Sequence, residues 1–410
     1  MKLFEPAPLG PVTLRNRTIK AATFEGRTPR GRVTDELVAF HREVAAGGVG
    51  MTTVAYCAVS PDGRVFRDCL VLDGTSVAGL SRLTDAVHEE GALASAQLGH
   101  AGLVADSRSN RTRSLAPSRR FSVVGQGLVP GATKADLARV RADFAAAAVH
   151  AVAAGFDCLE VHLGHNYLLS SFLSPNLNRR KDAYGGSVAQ RSRFPREVVQ
   201  AVREAVGDRV AVIAKLNMVD GVEKGLQLED SLAVARMLQD DGALDALQLT
   251  GGSSLLNGMY FFRGDVPLEE FVATQPRVLA PFVRLFLRRI MPNYPFEEAF
   301  FLPMARQFRA ELDLPLVLLG GLNRLETLTS AVAEGFAFVA MARALLREPD
   351  LVNRLGQGTA AAGICIHCNR CAPTIYSRPG TTCVVRSAES RGEGSDQPDS
   401  DPRGTGLSQR

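Results

Sequence analysis

Tryptophan is absent from this chain, tyrosine occurs 6 times and cysteine 7 times in 410 residues. No stretch offers the roughly 18 uncharged apolar residues that a membrane-spanning helix needs, so no span is expected. Residues 1–10, MKLFEPAPLG, hold an acid and two prolines where a secretory signal requires an apolar run, and a cytoplasmic protein is expected. An excess of one charge is missing too. Lys+Arg 47 against Asp+Glu 43 leaves +4, and the basic residues are dispersed, which argues against nucleic acid as a partner. A hydrophobic content of 46% excludes global disorder, and the length permits two or three domains or one large α/β barrel. Cysteine is scarce but uneven. Cys57, Cys69 and Cys158 are scattered, whereas Cys365, Cys368, Cys371 and Cys383 crowd together, so a metal or redox cluster is expected rather than a disulfide framework.

Short apolar runs alternate with amphipathic segments from residue 17 to about residue 355. The strand candidates are Thr18–Thr23, Gly50–Tyr56, Ala92–Leu98, Phe156–His162, Val210–Asn217, Ala246–Thr250, Pro315–Gly320 and Phe338–Ala342. Helices are expected over Asp35–Ala46, Ser76–Glu90, Lys134–Ala154, Phe194–Val206, Leu228–Asp241 and Arg324–Glu334. Eight near-continuous apolar strands alternating with helices close into a (β/α)8 TIM barrel, an α/β fold. An open doubly wound sheet is the alternative, but its Gly-rich dinucleotide fingerprint is missing. The expected organisation is a barrel over residues 1–360 with an insertion at 254–300, a Cys-rich segment over 361–386 and a disordered tail over 387–410. The insertion contains LAPFVRLFLRRIMPNYPFEEAFF, a helical cover over the barrel, a substrate lid, a contact for a homo-oligomer or a membrane-surface helix.

Function in such barrels gathers at the C-terminal ends of the strands. The fourth strand candidate runs into His162, His165 and Tyr167, a spacing that can bring two imidazoles and a phenol round one mouth to bind a substrate oxygen and deliver a proton. The plain alternative is two structural histidines and a core tyrosine. The seventh strand ends at Gly320-Gly321 and the eighth at Ala342-Arg343, the usual place for a phosphate, although glycines also end strands for turn reasons alone. Gln97 and Lys215 fall near strand ends and would present an amide and a buried cation to a planar ligand, unless Lys215 is an edge residue facing solvent.

HLGHNYLLSSFLSPNLNRRKDAYGGS, the Gln97 segment, AVSPDGR at 58–64 and the Gly320/Arg343 pair together resemble the Old Yellow Enzyme family of FMN-dependent ene-reductases over roughly residues 2–355. The Cys-rich end resembles the segment after the barrel in the 2,4-dienoyl-CoA reductase branch. The resemblance implies FMN, reduced by NADH or NADPH, passing hydride from flavin N5 to the β-carbon of an α,β-unsaturated carbonyl compound. It places Ala21, Ala22, Thr23, Phe24 and Tyr56 along the flavin, Gln97 at its pyrimidine edge, and Lys215 beside N1 and O2. Gly320, Gly321, Ala342 and Arg343 would hold the phosphate. His162 and His165 would grip the carbonyl oxygen, and Tyr167 would protonate the alpha carbon.

Three positions depart from the family: Phe24 replaces a Thr or Cys, Tyr56 a small residue, and Gly99 a frequent aromatic. They imply a reshaped substrate pocket. A related desaturase, demethylase or isomerase, or a flavin electron carrier acting with a partner, would use the same constellation. Cys365, Cys368, Cys371 and Cys383 suit a [4Fe–4S] cluster, a structural zinc or free packed thiols, and the branch has three residues where Asn369-Arg370 stand here.

Overall fold

The structure, a computed structural model, describes residues 1–391 apart from 123, 126, 275 and 276, and for 289 and 290 the backbone alone. Eight parallel strands form a closed barrel: β1 (Thr18–Lys20), β2 (Met51–Ala58), β3 (Leu93–Gly99), β4 (Cys158–Leu163), β5 (Ala211–Asn217), β6 (Ala246–Thr250), β7 (Leu316–Leu319) and β8 (Phe338–Met341). Each pairs with its neighbour in sequence, and β8 pairs with β1 to close the ring. Every residue of β1, β2, β4, β5, β6 and β8 is buried, because helices cover the outside while side chains fill the inside. The expected (β/α)8 barrel is what forms.

The barrel interior is layered. Ile19, Met51, Cys158, Ile213, Ala246, Val317 and Phe338 make an apolar floor. A hairpin that pattern reading missed, Ala7–Leu9 with Val12–Leu14, packs on that floor through Ala7, Leu9 and Leu14. The polar groups are thereby confined to the upper, C-terminal half.

Several boundaries differ from expectation. The helix expected from Phe194 begins at Val188, where Ser187 and Gln190 make a capping box; Pro195 lies inside the helix instead of opening it. Strand β1 stops at Lys20, after which Ala21–Phe24 leave the sheet as a loop over the barrel mouth. Helix Leu302–Glu311, between the insertion and β7, was not expected at all. The insertion itself carries helices Met259–Phe262, Leu268–Ala273 and Ala280–Ile290. The tail expected to be disordered from 387 is helical over Val384–Ser390, since that turn packs against the barrel through the Arg347–Glu389 ion pair at 2.6 Å. Residues 392–410 of that expectation lie outside the described residues.

Candidate active site

The site is built on strand alternation. Side chains point inward every second residue, so Cys158, Glu160 and His162 of β4 climb the barrel axis from floor to mouth. Parallel register sets Gln97 beside Glu160, Lys215 beside His162, and Gln248 beside Lys215. Glu160 is the hub of this layer. One carboxylate oxygen accepts from Gln97 Nε2 at 2.5 Å and pairs with Lys215 Nζ at 3.0 Å, and the other accepts from Gln248 Nε2 at 2.9 Å. Lys215 is therefore buried and central, as its apolar flanks implied, but its charge is matched rather than free. Glu160 and Gln248 were missed in the sequence, although the two-residue spacing from Glu160 to His162 carried the signal.

Above this layer sit the fourth-strand residues. The His162 ring lies 4.7 Å from that of Tyr167 and 5.2 Å from that of His165, centroid to centroid. The turn that assembles them runs through the left-handed region at His165 and Asn166, φ 59° and 58°, a conformation non-glycine residues rarely adopt. It is held because Asn217 Oδ1 accepts from the His165 backbone N–H at 3.0 Å. His165 Nε2 lies 3.0 Å from Thr250 Oγ1, whereas His162 Nδ1 is buried and finds no hydrogen-bond partner among the described residues. Burial, then His165 and Lys215, holds His162 well below the usual histidine range. Burial and Lys215 lower His165 to about 3. Both imidazoles are thus neutral donors at physiological pH. Burial, with Cys69 and Tyr376 nearby, raises Tyr167 and keeps its proton in place.

An aromatic wall flanks Tyr167. Tyr56 lies 5.4 Å from it, Phe24 6.3 Å from Tyr56, and Phe66 5.3 Å from Phe24. Positions 56 and 99 share one space. A Cβ at Gly99 would stand 2.4 Å from Tyr56 Cε2, so the tyrosine ring occupies the space a side chain at 99 would fill, and Tyr56 Oη anchors it by donating to Gly63 O at 2.8 Å.

At the opposite end, Gly320 and Gly321 adopt φ 111° and 74°, and a Cβ on Gly320 would come within 2.5 Å of Phe301. Arg343 beside them donates to Arg263 O at 2.9 Å and to Asn369 Oδ1. One cavity of about 1290 Å³ is lined by Ala21, Ala22, Thr23, Phe24, Tyr56, Gln97, His162, His165, Tyr167, Lys215, Gly320, Gly321, Ala342 and Arg343 together. The Cys-rich segment supplies another wall that sequence reading did not place, including Cys371 and Tyr376. Cys365, Cys368, Cys371 and Cys383 line a second, small pocket on the other side of Arg343. Among the described residues no three His, Cys, Asp or Glu side chains stand together as a metal site.

Residues 2–249 match the NADH:flavin oxidoreductase / NADH oxidase family. A 4,4'-dithiodibutanoate disulfide reductase of Rhodococcus erythropolis is 64% identical over 94% of this chain and 95% of its own length. The chain belongs to this family. It is an NAD(P)H-dependent flavin oxidoreductase of the Old Yellow Enzyme type. Solved structures with the same fold include a 2-naphthoyl-CoA reductase complex with 2-naphthoyl-CoA, at TM-score 0.80 and 22% identity over 94% of this chain and 56% of that one. An old yellow enzyme homologue from Zymomonas mobilis superposes at TM-score 0.66 with 24% identity, over 88% and 94%.

A flavin fits the oxidoreductase on structural grounds: the long cavity, a glycine turn that leaves no room for a Cβ, an arginine beside that turn, and an unpartnered imidazole nitrogen at the mouth. Arg343→Ala should weaken retention of FMN by about 1.5–3 kcal/mol, the scale of a charge-assisted hydrogen bond, measured by flavin fluorescence during titration of the apoprotein. Unchanged affinity would remove Arg343 from the phosphate end.

The histidines make a pH prediction. Their folded pKa values lie below the unfolded value near 6.5, so their contribution to stability is whole above that pH and is lost as pH falls toward about 3 for His165. His165→Gln should flatten the decline in unfolding free energy between roughly pH 6 and pH 4 by up to about 1.4 kcal/mol per pH unit. Urea titrations of the apoprotein across that range measure it, and an unaltered slope would mean a protonated His165 in the folded chain.

Proposed function

We propose that the cavity holds FMN, with Gln97 and Lys215 at the pyrimidine edge, Ala21–Phe24 and Tyr56 along the ring, and Gly320, Gly321, Ala342 and Arg343 at the phosphate. When bound and reduced by NADH or NADPH, it would supply hydride. The observation that carries the reading is the grouping of His162, His165 and Tyr167 at one end of the cavity and the glycine–arginine turn at the other. His162 and His165, both neutral, donate hydrogen bonds to the acceptor atom on which negative charge develops, and Tyr167 delivers a proton.

Two acceptors suit this machinery. The Rhodococcus relative supports a small organic disulfide: one hydride cleaves R–S–S–R into a thiol and a thiolate, and the proton from Tyr167 makes the second thiol. Cys57, Cys69 and Cys158 are buried, and burial pushes Cys69 up to about 12, which favours direct reduction over exchange with a barrel thiol. The His–His–Tyr grouping equally supports an α,β-unsaturated carbonyl compound, whose enolate oxygen would take the place of the thiolate.

The four clustered cysteines line one small pocket, and the Cys-x2-Cys-x2-Cys run within them is the spacing that supports a [4Fe–4S] cluster there. Protein purified anaerobically should contain iron and acid-labile sulfide in equal amounts. Full-length protein with FMN but neither element would leave four packed thiols.

For the acceptor, flavin reduced anaerobically by NADH or NADPH should be reoxidised by 4,4'-dithiodibutanoate, by 2-cyclohexenone, or by both. Tyr167→Phe should slow that step by about 10²–10⁴ while leaving reduction within about twofold. Stopped-flow absorbance separates the two half-reactions. Bleaching with no reoxidation by either compound would favour an electron carrier and sink the proposal.

A further inference from the structure

Two elements rise beside the cavity mouth with apolar side chains turned outward. The first is the hairpin of Arg120–Ser122 and Gly127–Val129 in the loop after β3, where Phe121 and Leu128 are cross-strand partners, 62% and 56% exposed. Val124 at its tip lines the cavity. The second is helix Ala280–Ile290 in the insertion after β6. Its Leu287 lines the cavity, while Phe282 and Leu285, 75% and 73% exposed, and Phe286 lie at i, i+3 and i+4 on a face that nothing among the described residues covers. Loops after β3 and β6 leave the same C-terminal end of the barrel from well-separated strands, so the two elements flank the mouth.

The two segments themselves carry charge of one sign, with Asp106, Glu269 and Glu270 beside them. In sequence, residues 107–122 hold five arginines and residues 277–290 hold four, with no acid in either, while the remainder of the chain is net acidic. Arg284 is paired with Glu269 of the adjoining helix at 2.5 Å. Arg111, Arg113 and Arg119 are exposed. Exposed aromatic and aliphatic groups interleaved with arginine are the chemistry of an element lying in a lipid headgroup layer, where apolar side chains enter the boundary and guanidinium groups meet lipid phosphates. Among the described residues no helix is long and apolar enough to cross a membrane, so the contact is one of lying on the surface.

We propose that this rim docks the cavity mouth onto the surface of an anionic bilayer. Phe121, Leu128, Phe282 and Leu285 enter the headgroup boundary, and the cavity opens onto the interfacial layer. This goes beyond the proposed reaction and does not rest on which acceptor is used.

Vesicle flotation of the full-length, flavin-loaded protein tests it, with phosphatidylcholine alone and with phosphatidylcholine containing phosphatidylglycerol. The floated fraction should be roughly tenfold greater on the anionic vesicles and should fall in about 0.5 M salt. The double variants Phe282→Ser/Leu285→Ser and Phe121→Ser/Leu128→Ser touch neither the flavin candidates nor the His–His–Tyr group. Each should lower flotation roughly tenfold with flavin content and thermal midpoint unchanged. Equal flotation on both vesicle types, or variants that float like the parent, would overturn the proposal. So would light scattering that finds a dimer split into monomers by the same variants, since a second copy would then cover the face.

Discussion

A buried carboxylate organises this molecule. Glu160 sits inside the barrel, 1% exposed, and an isolated carboxylate there would cost several kcal/mol in lost solvation. That cost is offset only if its oxygens are filled, and three strands contribute the fillers: Gln97 from β3, Lys215 from β5 and Gln248 from β6. Removing any one partner would leave a buried charge or amide short of a bond, so the four side chains hold one another in single rotamers. The edge of the cavity assigned to the pyrimidine is consequently rigid before any ligand arrives. Lys215 also presents less net positive charge than a lone cation would, because Glu160 lies at 3.0 Å.

The same layer conditions the chemistry above it. A cation near two buried imidazoles disfavours their protonation, and Lys215 contributes to lowering both His162 and His165. Neutral histidines can donate hydrogen bonds without carrying a charge that would bind simple anions indiscriminately. Tyr167 is kept protonated by burial, the state that the proposed role of proton donor requires. The aromatic wall narrows the space beside it, and Tyr56 fills the room that a side chain at position 99 would take. A change at one site of the pair would therefore need the other.

The barrel was legible because its signal is redundant: eight apolar runs, each followed by an amphipathic segment, leave little choice of fold. The His162, His165 and Tyr167 grouping was legible because all three fall within one strand end and its turn. Glu160 was not singled out, since in isolation it is an acid in a run of apolar residues, and its meaning depends on Gln97, Lys215 and Gln248 arriving from far along the chain. The helix expected from Phe194 illustrates a different failure. Proline at 195 is a strong start signal, yet the Ser187–Gln190 capping box wins because it satisfies the terminal N–H groups a turn and a half earlier. Over residues 361–391 the signals are cysteine spacing, a resemblance and a polar composition, and none of these says which barrel surface the segment covers.

That covering ties the two ends of the cavity together. Thr381 donates from Oγ1 to Phe24 O at 2.6 Å and from its backbone N–H to Glu25 O at 2.7 Å, which fastens the C-terminal segment to the loop after β1. Glu25 in turn accepts from Ala55 N at 2.8 Å and pairs with Lys20 at 3.0 Å, so the loop that bears Ala21–Phe24 is braced from within the barrel as well as from outside it. At the other end Asn369 donates to Arg263 O at 3.1 Å and Asp265 O at 2.9 Å while accepting from Arg343. The two residues between Cys368 and Cys371 thus include the one that orients Arg343. Arg343 lines both the large cavity and the thiol pocket. Arg343, held by Asn369, thus stands between the large cavity and the thiol pocket, so the cysteine segment packs as part of the cavity wall and is not an appendage beyond the barrel.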